Sequence, residues 1–106
     1  MKIEGQGLKA LGFLTEEFQN EKYGRYVKRE LGDLIAGTTE EIGFQTESSD
    51  VILSLSLSGA VVEYDYWDED LNDYVCGKDN LSYEVVFYEI CKVIGEIDWF
   101  YLVLQE

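Results

Sequence analysis

The sequence predicts an α+β fold in which one or two amino-terminal helices pack on a four-stranded antiparallel β-meander. Two observations predict it: apolar residues recur with a helical period in the first third of the chain, and with a period of two from Asp50 onward. A chain of 106 residues is also long enough to bury a core without disulfides or metals. We therefore expect a single domain, residues 1–106.

The first third is predicted to hold the helices. From Lys22 onward, apolar side chains gather on one side of a helical wheel. They are Tyr23, Tyr26, Val27, Leu31, Leu34 and Ile35. Gly37 stands where a glycine would end this helix. A shorter amphipathic stretch, residues 8–18, precedes it, and Thr15 or Asn20 is expected to separate the two.

The middle of the chain is predicted to form strands. Leucines alternate with serines over residues 53–58, which is typical of a half-buried strand. A turn at Ser58-Gly59 leads into a returning strand over residues 60–67. Residues 68–80 are acidic and rich in turn-forming residues, so we expect an irregular connection there.

The carboxy-terminal part is compatible with two structures. Residues 82–94 carry a helical stripe of apolar side chains, yet residues 85–88 form a β-favouring run, and residues 95–96 suit a tight turn into 97–104. We expect the hairpin. Both of its faces would be apolar, and the helices can cover only one of them. A loop, a second subunit or a binding partner would then cover the other face.

Charge is distributed very unevenly along the chain. Residues 1–36 carry six basic and six acidic residues, which cancel. Residues 37–106 carry sixteen acids and two lysines, so the whole net charge of −14 lies there. The densest stretch is 63–74, where acids are mixed with aromatic residues. Solubility needs a net charge of only roughly 2–8 for a small domain, so the excess indicates another role.

We expect this stretch to bind a cationic protein. Acids accelerate the encounter with a partner of opposite charge, and aromatic side chains anchor it. The predicted partner-binding residues are Glu63, Asp65, Tyr66, Trp67, Asp68, Glu69, Asp70, Asp73 and Tyr74. The competing interpretation is a solvated strand edge, with Tyr64 and Tyr66 in the core and the acids facing water.

Nothing in the sequence supports catalysis. The chain has no histidine, so neither Cys76 nor Cys91 has an imidazole base, and no nucleophile elbow or phosphate-binding glycine loop is present. A degenerate calcium-loop pattern runs from Asp68 to Asp79, but Asp73 occupies the position that needs glycine. We predict no enzyme activity, no cofactor and no bound metal.

Composition also limits the partners. A net charge of −14 argues against direct contact with nucleic acid or anionic lipid. No apolar run approaches the roughly 20 residues that a membrane span needs, and no apolar region follows Lys2 as in a signal peptide. We therefore expect a cytoplasmic protein whose partner is a basic protein.

In bulk character the chain is similar to two groups of small acidic inhibitors: immunity proteins of nuclease toxins, and phage-encoded nucleic-acid mimics that block CRISPR or restriction effectors (anti-CRISPR and anti-restriction proteins). It shares with them short length, acidity, many aromatic residues and few cysteines. The resemblance implies an inhibitor of a protein that acts on nucleic acid, and it carries over no particular residue.

Among these classes we expect an immunity protein. The charge is one-sided and mixed with Trp and Tyr, whereas a nucleic-acid mimic would space acids around much of its surface. The mimic is the first alternative. A non-catalytic adaptor that forms a homodimer through the second apolar sheet face is the other.

Overall fold

The protein is described by a computed structural model that covers residues 3–95, with side chains from Gly5 onward. Within these residues, three helices and four strands follow one another. They are α1 (Ile3–Glu17), α2 (Glu21–Ala36), β1 (Ile42–Gln45), β2 (Val51–Ser56), β3 (Gly59–Asp68), β4 (Asp73–Leu81) and α3 (Tyr83–Ile94). The strands form one sheet in the order β1-β2-β3-β4, and every neighbouring pair is antiparallel. The predicted α+β fold with a four-stranded antiparallel meander is confirmed.

Local capping separates the two amino-terminal helices. The Asn20 side chain accepts hydrogen bonds from the N–H groups of Lys22 and Tyr23, which satisfies donors that the first turn of α2 leaves unpaired. Gly37 ends α2 with a φ of +83°, a conformation that glycine adopts without steric cost. Both predicted boundaries are therefore confirmed, with Asn20 as the residue that divides the helices.

The core lies between the helices and the inner face of the sheet. Helix α1 packs against β2, β3 and β4 and also contacts α3. Alternate strand residues such as Leu53, Leu55 and Val62 are fully buried on this face. The serines of β2 lie on the opposite, outer face, as their alternation with leucine predicts. The turn after β2 is at residues 57–58, one residue earlier than expected.

The expected irregular connection over residues 68–80 is wrong. Only residues 69–72 form a turn, and β4 pairs with β3 from Asp73 to Leu81. The pattern hides this strand because Gly77 and Asp79 occupy inward-facing positions where apolar side chains would signal one. Gly77 is needed there because the Tyr64 ring of β3 lies over it, and a Cβ atom at Gly77 would be 2.5 Å from that ring.

The expected hairpin of residues 82–94 with 97–104 is also wrong, because residues 83–94 form α3. The Ser82 hydroxyl accepts a hydrogen bond from the Val85 N–H and caps the helix, and Gly95 ends it with a φ of +77°. Val86, Phe87, Ile90 and Cys91 all point into the core. The second arm of the expected hairpin, 97–104, lies outside the described residues.

The length and apolar character of the helices can be compared with those of a membrane span. Within residues 3–95, no helix combines the length and the apolar character that a bilayer crossing requires.

Candidate protein-binding site

The strands β3 and β4 extend beyond the rest of the sheet. The last pair between β2 and β3 is Val51 with Tyr64, whereas β3 continues to Asp68 and stays paired with β4 throughout. Residues 66–75 therefore form a two-stranded projection of three residue pairs closed by the 69–72 turn, which we call the acidic arm. At about 3.3 Å per residue it extends about 10 Å past the end of β2.

The nine residues predicted from sequence all lie on the acidic arm or at its base, but on different faces. Cross-strand partners share a face, so the register assigns each side chain. Those on the outer face are Glu63, Asp65, Trp67 and Tyr74. Those on the inner face are Tyr66, Asp68 and Asp73. Glu69 and Asp70 belong to the turn at the tip.

Two aromatic residues form the exposed apolar part of the arm's outer face. Trp67 and Tyr74 are directly opposite each other, with their ring centroids 5.1 Å apart in an edge-to-face arrangement. They remain 48% and 67% exposed. Because each ring restricts the other, a partner would immobilise them at low entropic cost. Trp67 is therefore not a core residue, whereas Tyr64 is buried and Tyr66 is at the margin of exposure.

The acids of the arm have two distinct roles. Asp68 Oδ1 accepts hydrogen bonds from the N–H groups of Asp70 and Leu71, at 2.9 and 3.2 Å, and so shapes the turn. Asp73 Oδ1 accepts from the Tyr74 N–H at 2.7 Å. In contrast, the side chains of Glu69 and Asp70 make no hydrogen bond or ion pair with any described residue. These two carboxylates present their charge to the surroundings.

Asp65, at the base of the arm, restrains the neighbouring cysteine. The Cys76 thiol donates to Asp65 Oδ1 at 3.3 Å. This hydrogen bond, followed by the charge of the carboxylate, raises the pKa of Cys76 above its ordinary value. A thiol with a raised pKa is a poor nucleophile at neutral pH, so the exposed Cys76 has the opposite of a catalytic environment.

The degenerate calcium pattern does not converge in space. Asp68 pairs with Asp73 at the arm's end of the hairpin, whereas Asp79 pairs with Val62, six residues further along β4 and so about 20 Å away. Asp79 is only 3% exposed and its Oδ2 accepts a hydrogen bond from the Tyr64 hydroxyl at 2.9 Å. Among the described residues, no group of three or more His, Cys, Asp or Glu side chains is arranged to hold a metal ion.

Sequence reasoning missed a second part of the site, a groove between α1 and the sheet. Beside the base of the arm, Phe13 of α1 is 55% exposed and faces Val51 and Asp65 across a cavity. One signal in the sequence could have found it. Phe13 lies between the buried Leu11 and Leu14 on the polar side of an amphipathic helix, where a large aromatic residue has no role in the core.

Comparison with protein-family models, with curated proteins and with solved structures gives no match. The function must therefore be argued from the site itself.

Proposed function

We propose that the protein is an acidic inhibitor that binds and neutralises a basic, nucleic-acid-acting protein, as an immunity protein neutralises a nuclease toxin in the cytoplasm. The acidic arm is the observation that supports this proposal most directly. It presents the paired rings of Trp67 and Tyr74 beside carboxylates that have no cation within the described residues. Anchoring aromatics surrounded by charge are the features that produce tight and rapid association.

The electrostatics favour a partner of opposite charge. The three ion pairs within residues 3–95 all involve helix residues, and none includes an acid of the arm. The negative charge of the arm thus remains available to attract a cation from solution. Steering of this kind raises association rates toward roughly 10⁸ M⁻¹s⁻¹ at low salt, which an immunity protein needs because it must act before its toxin does.

A phage-encoded nucleic-acid mimic remains the alternative. Acids along α1 and the β1–β2 loop, such as Glu16, Glu47 and Asp50, extend the negative surface beyond the arm. A negative surface of this extent could also occupy the channel in which an effector protein normally binds the phosphate backbone of a nucleic acid. We do not pursue the dimeric adaptor, because the hairpin face on which it depended is replaced by α3.

Genome context and kinetics together test the proposal. An immunity gene lies directly downstream of its toxin gene, so the probe is the protein encoded immediately upstream, which we expect to be basic. Stopped-flow association is measured over a salt series for the wild type and for Glu69→Gln with Asp70→Asn. We expect the double variant to associate several-fold more slowly at low salt and to show a weaker salt dependence, because rim charges act on the association rate.

A matched control removes two charges elsewhere. Glu40→Gln with Glu84→Gln changes the net charge equally at exposed positions far from the arm in sequence, and should have a smaller effect on the rate. An upstream gene that encodes no basic protein contradicts the immunity setting. Equal rates for the two double variants would show that the acidic arm does not steer the partner, which contradicts the proposed site.

A further inference from the structure

A continuous open groove begins at the acidic arm, where it lies between α1 and the sheet, and its far end lies between α1, α2 and the β1–β2 loop. Three adjoining cavities of about 360, 500 and 820 Å³ make it up. The first and second share Phe13, Val51 and Asp65, and the second and third share Glu16 and Glu17. We call this feature the α1 groove. It follows α1 from residue 6 to the end of the helix at Glu17, which is about 16 Å at 1.5 Å per residue, and continues to Asn20 and Tyr23 at the start of α2.

The α1 groove is apolar at one end and acidic along its walls. Phe13 and Trp67 are about half exposed, and Tyr66 is 36% exposed; all three line the first cavity, with Tyr66 and Trp67 on opposite faces of the β3 edge. Several exposed aromatic residues around one cavity are typical of a binding site. Lys9 and Lys22 are the groove's lysines. The acids that line it are Glu16, Glu17, Glu47, Asp50 and Asp65, of which Asp65 lies at the edge of β3 with its carboxylate hydrogen-bonded to Cys76 on the outer face.

None of these five acids forms an ion pair within residues 3–95. Glu17 instead accepts a hydrogen bond from the Glu47 N–H, which holds the two acidic residues together at the far end of the groove. Burial and then the charge of Glu17 raise the pKa of Tyr23 above its ordinary value. The groove is therefore negative along most of its length.

The edge of β3 indicates the conformation of an occupant. The Asp65 N–H donates to the Asp50 carbonyl at 3.2 Å, so this side of β3 faces β2. The backbone groups of Trp67, two residues further, point to the same side, but β2 begins only at Val51. A strand edge without a neighbour in the described residues can pair with an extended segment of another chain.

We propose that the α1 groove binds an extended cationic segment of the partner protein, in which lysine or arginine residues flank an apolar side chain that packs on Phe13. The inference rests on the proposed inhibitor function and adds the chemistry of the segment that is recognised. The lysines and arginines would pair with the acidic walls, and the segment's backbone would extend the edge of β3. About six residues of extended chain span the groove.

Peptide titration followed by nuclear magnetic resonance tests this directly. The probe is a capped hexapeptide with one leucine among five arginine and lysine residues. We expect shift changes at Phe13, Val51 and Asp65, at least fivefold weaker binding when glycine replaces the leucine, and loss of binding when serines replace the cations. No shift change up to millimolar peptide, or changes confined to other surfaces, would overturn the proposal.

Variants of α1 provide a matched pair. Phe13→Ala should weaken peptide binding at least fivefold, because Phe13 supplies the apolar contact. Leu8→Ala should leave it within twofold, since Leu8 is also exposed, at 42%, yet lies on the opposite side of the helix. Equal effects of the two substitutions would refute the assignment of the apolar contact to Phe13.

The same variants separate this inference from the proposed function when the upstream-encoded protein replaces the peptide. Weaker binding by both Phe13→Ala and Tyr74→Ala supports both. If only Tyr74→Ala weakens binding, the inhibitor function stands and the α1 groove inference fails. If neither substitution weakens binding, both the proposed function and the α1 groove inference fail.

Discussion

Replacement of Trp67 by alanine should weaken partner binding by about 2 kcal/mol, and the structure allows this figure to be estimated. A tryptophan side chain presents up to about 250 Å² of surface. Since Trp67 is 48% exposed, about 120 Å² remain to be buried by a partner. At about 25 cal/mol per Å² this contributes about 3 kcal/mol, from which about 1 kcal/mol is lost in immobilising the side chain. The net loss of about 2 kcal/mol corresponds to an approximately thirtyfold higher Kd.

The same substitution should also lower the free energy of unfolding. The buried half of the ring accounts for about 3 kcal/mol and the edge contact with Tyr74 for about 1 kcal/mol, so we expect a loss of about 4 kcal/mol. Even a wild type at the low end of the ordinary range, about 5 kcal/mol, would leave the variant about 80% folded. Partial unfolding would then change the apparent Kd by only about 1.2-fold, which is small beside the expected thirtyfold effect on binding.

The assay is titration calorimetry with the upstream-encoded protein, alongside urea unfolding of the same samples. Leu57→Ala is the control, since it truncates an equally exposed apolar side chain in the turn at the opposite end of β3. We expect the effect of Trp67→Ala in the dissociation rate, as for a buried anchor. A Kd within twofold of the wild type would refute the view that Trp67 anchors the partner.

Two further predictions concern ionisable groups. Asp65→Asn should speed alkylation of Cys76 by iodoacetamide at pH 8, since the carboxylate that raises the thiol's pKa is removed; an unchanged rate, with the modified site identified by mass spectrometry, would contradict this. Burial and the hydrogen bond to Asp79 raise the pKa of Tyr64 to about 12 from 10.0. The neutral hydroxyl therefore stabilises the fold below pH 10, and this contribution is lost between pH 10 and about 12. In urea unfolding, Tyr64→Phe should be less stable by about 1–3 kcal/mol at pH 7, a difference that shrinks over that range; a constant difference would contradict the assignment.

Local signals made the helix boundaries predictable from sequence. Asn20 and Gly37 act through hydrogen bonds to residues at most four positions away, so their roles need no tertiary information. Residues 85–88 are different. Their side chains favour strands in isolation, but packing of Val86, Phe87, Ile90 and Cys91 in the core, where α3 contacts α1 and β3, outweighs that preference. Gly95 does not distinguish the hairpin from the helix, because a tight turn and a helix end can both place a glycine with positive φ at this position.

The two parts of the candidate site also differ in whether local sequence or tertiary packing brings their residues together. The acidic arm could be predicted because its acids and aromatics are contiguous in sequence and a hairpin keeps neighbours together. The α1 groove could not, since Phe13 and Asp50 are far apart in the chain and only the packing of α1 on the sheet brings them to one cavity. The alternation along β3 already predicts that Tyr66 and Trp67 lie on opposite faces. The faces of Asp73 and Tyr74 depend instead on the β3–β4 register, which the irregular connection expected over residues 68–80 left undefined.

The base of the arm explains how a two-stranded projection can be rigid enough to bind. An isolated hairpin is marginally stable in water, so the arm needs support from the domain. Tyr64 provides it: its ring covers Gly77 on β4, and its hydroxyl binds the buried Asp79. Asp79 in turn packs on Gly7 of α1, since a Cβ atom added at Gly7 would lie 2.7 Å from Oδ2 of Asp79. These contacts position the base of the arm relative to α1 before any partner arrives. A preformed arm loses little conformational entropy on binding, so more of the interaction energy of its aromatic pair and of the α1 groove appears as affinity.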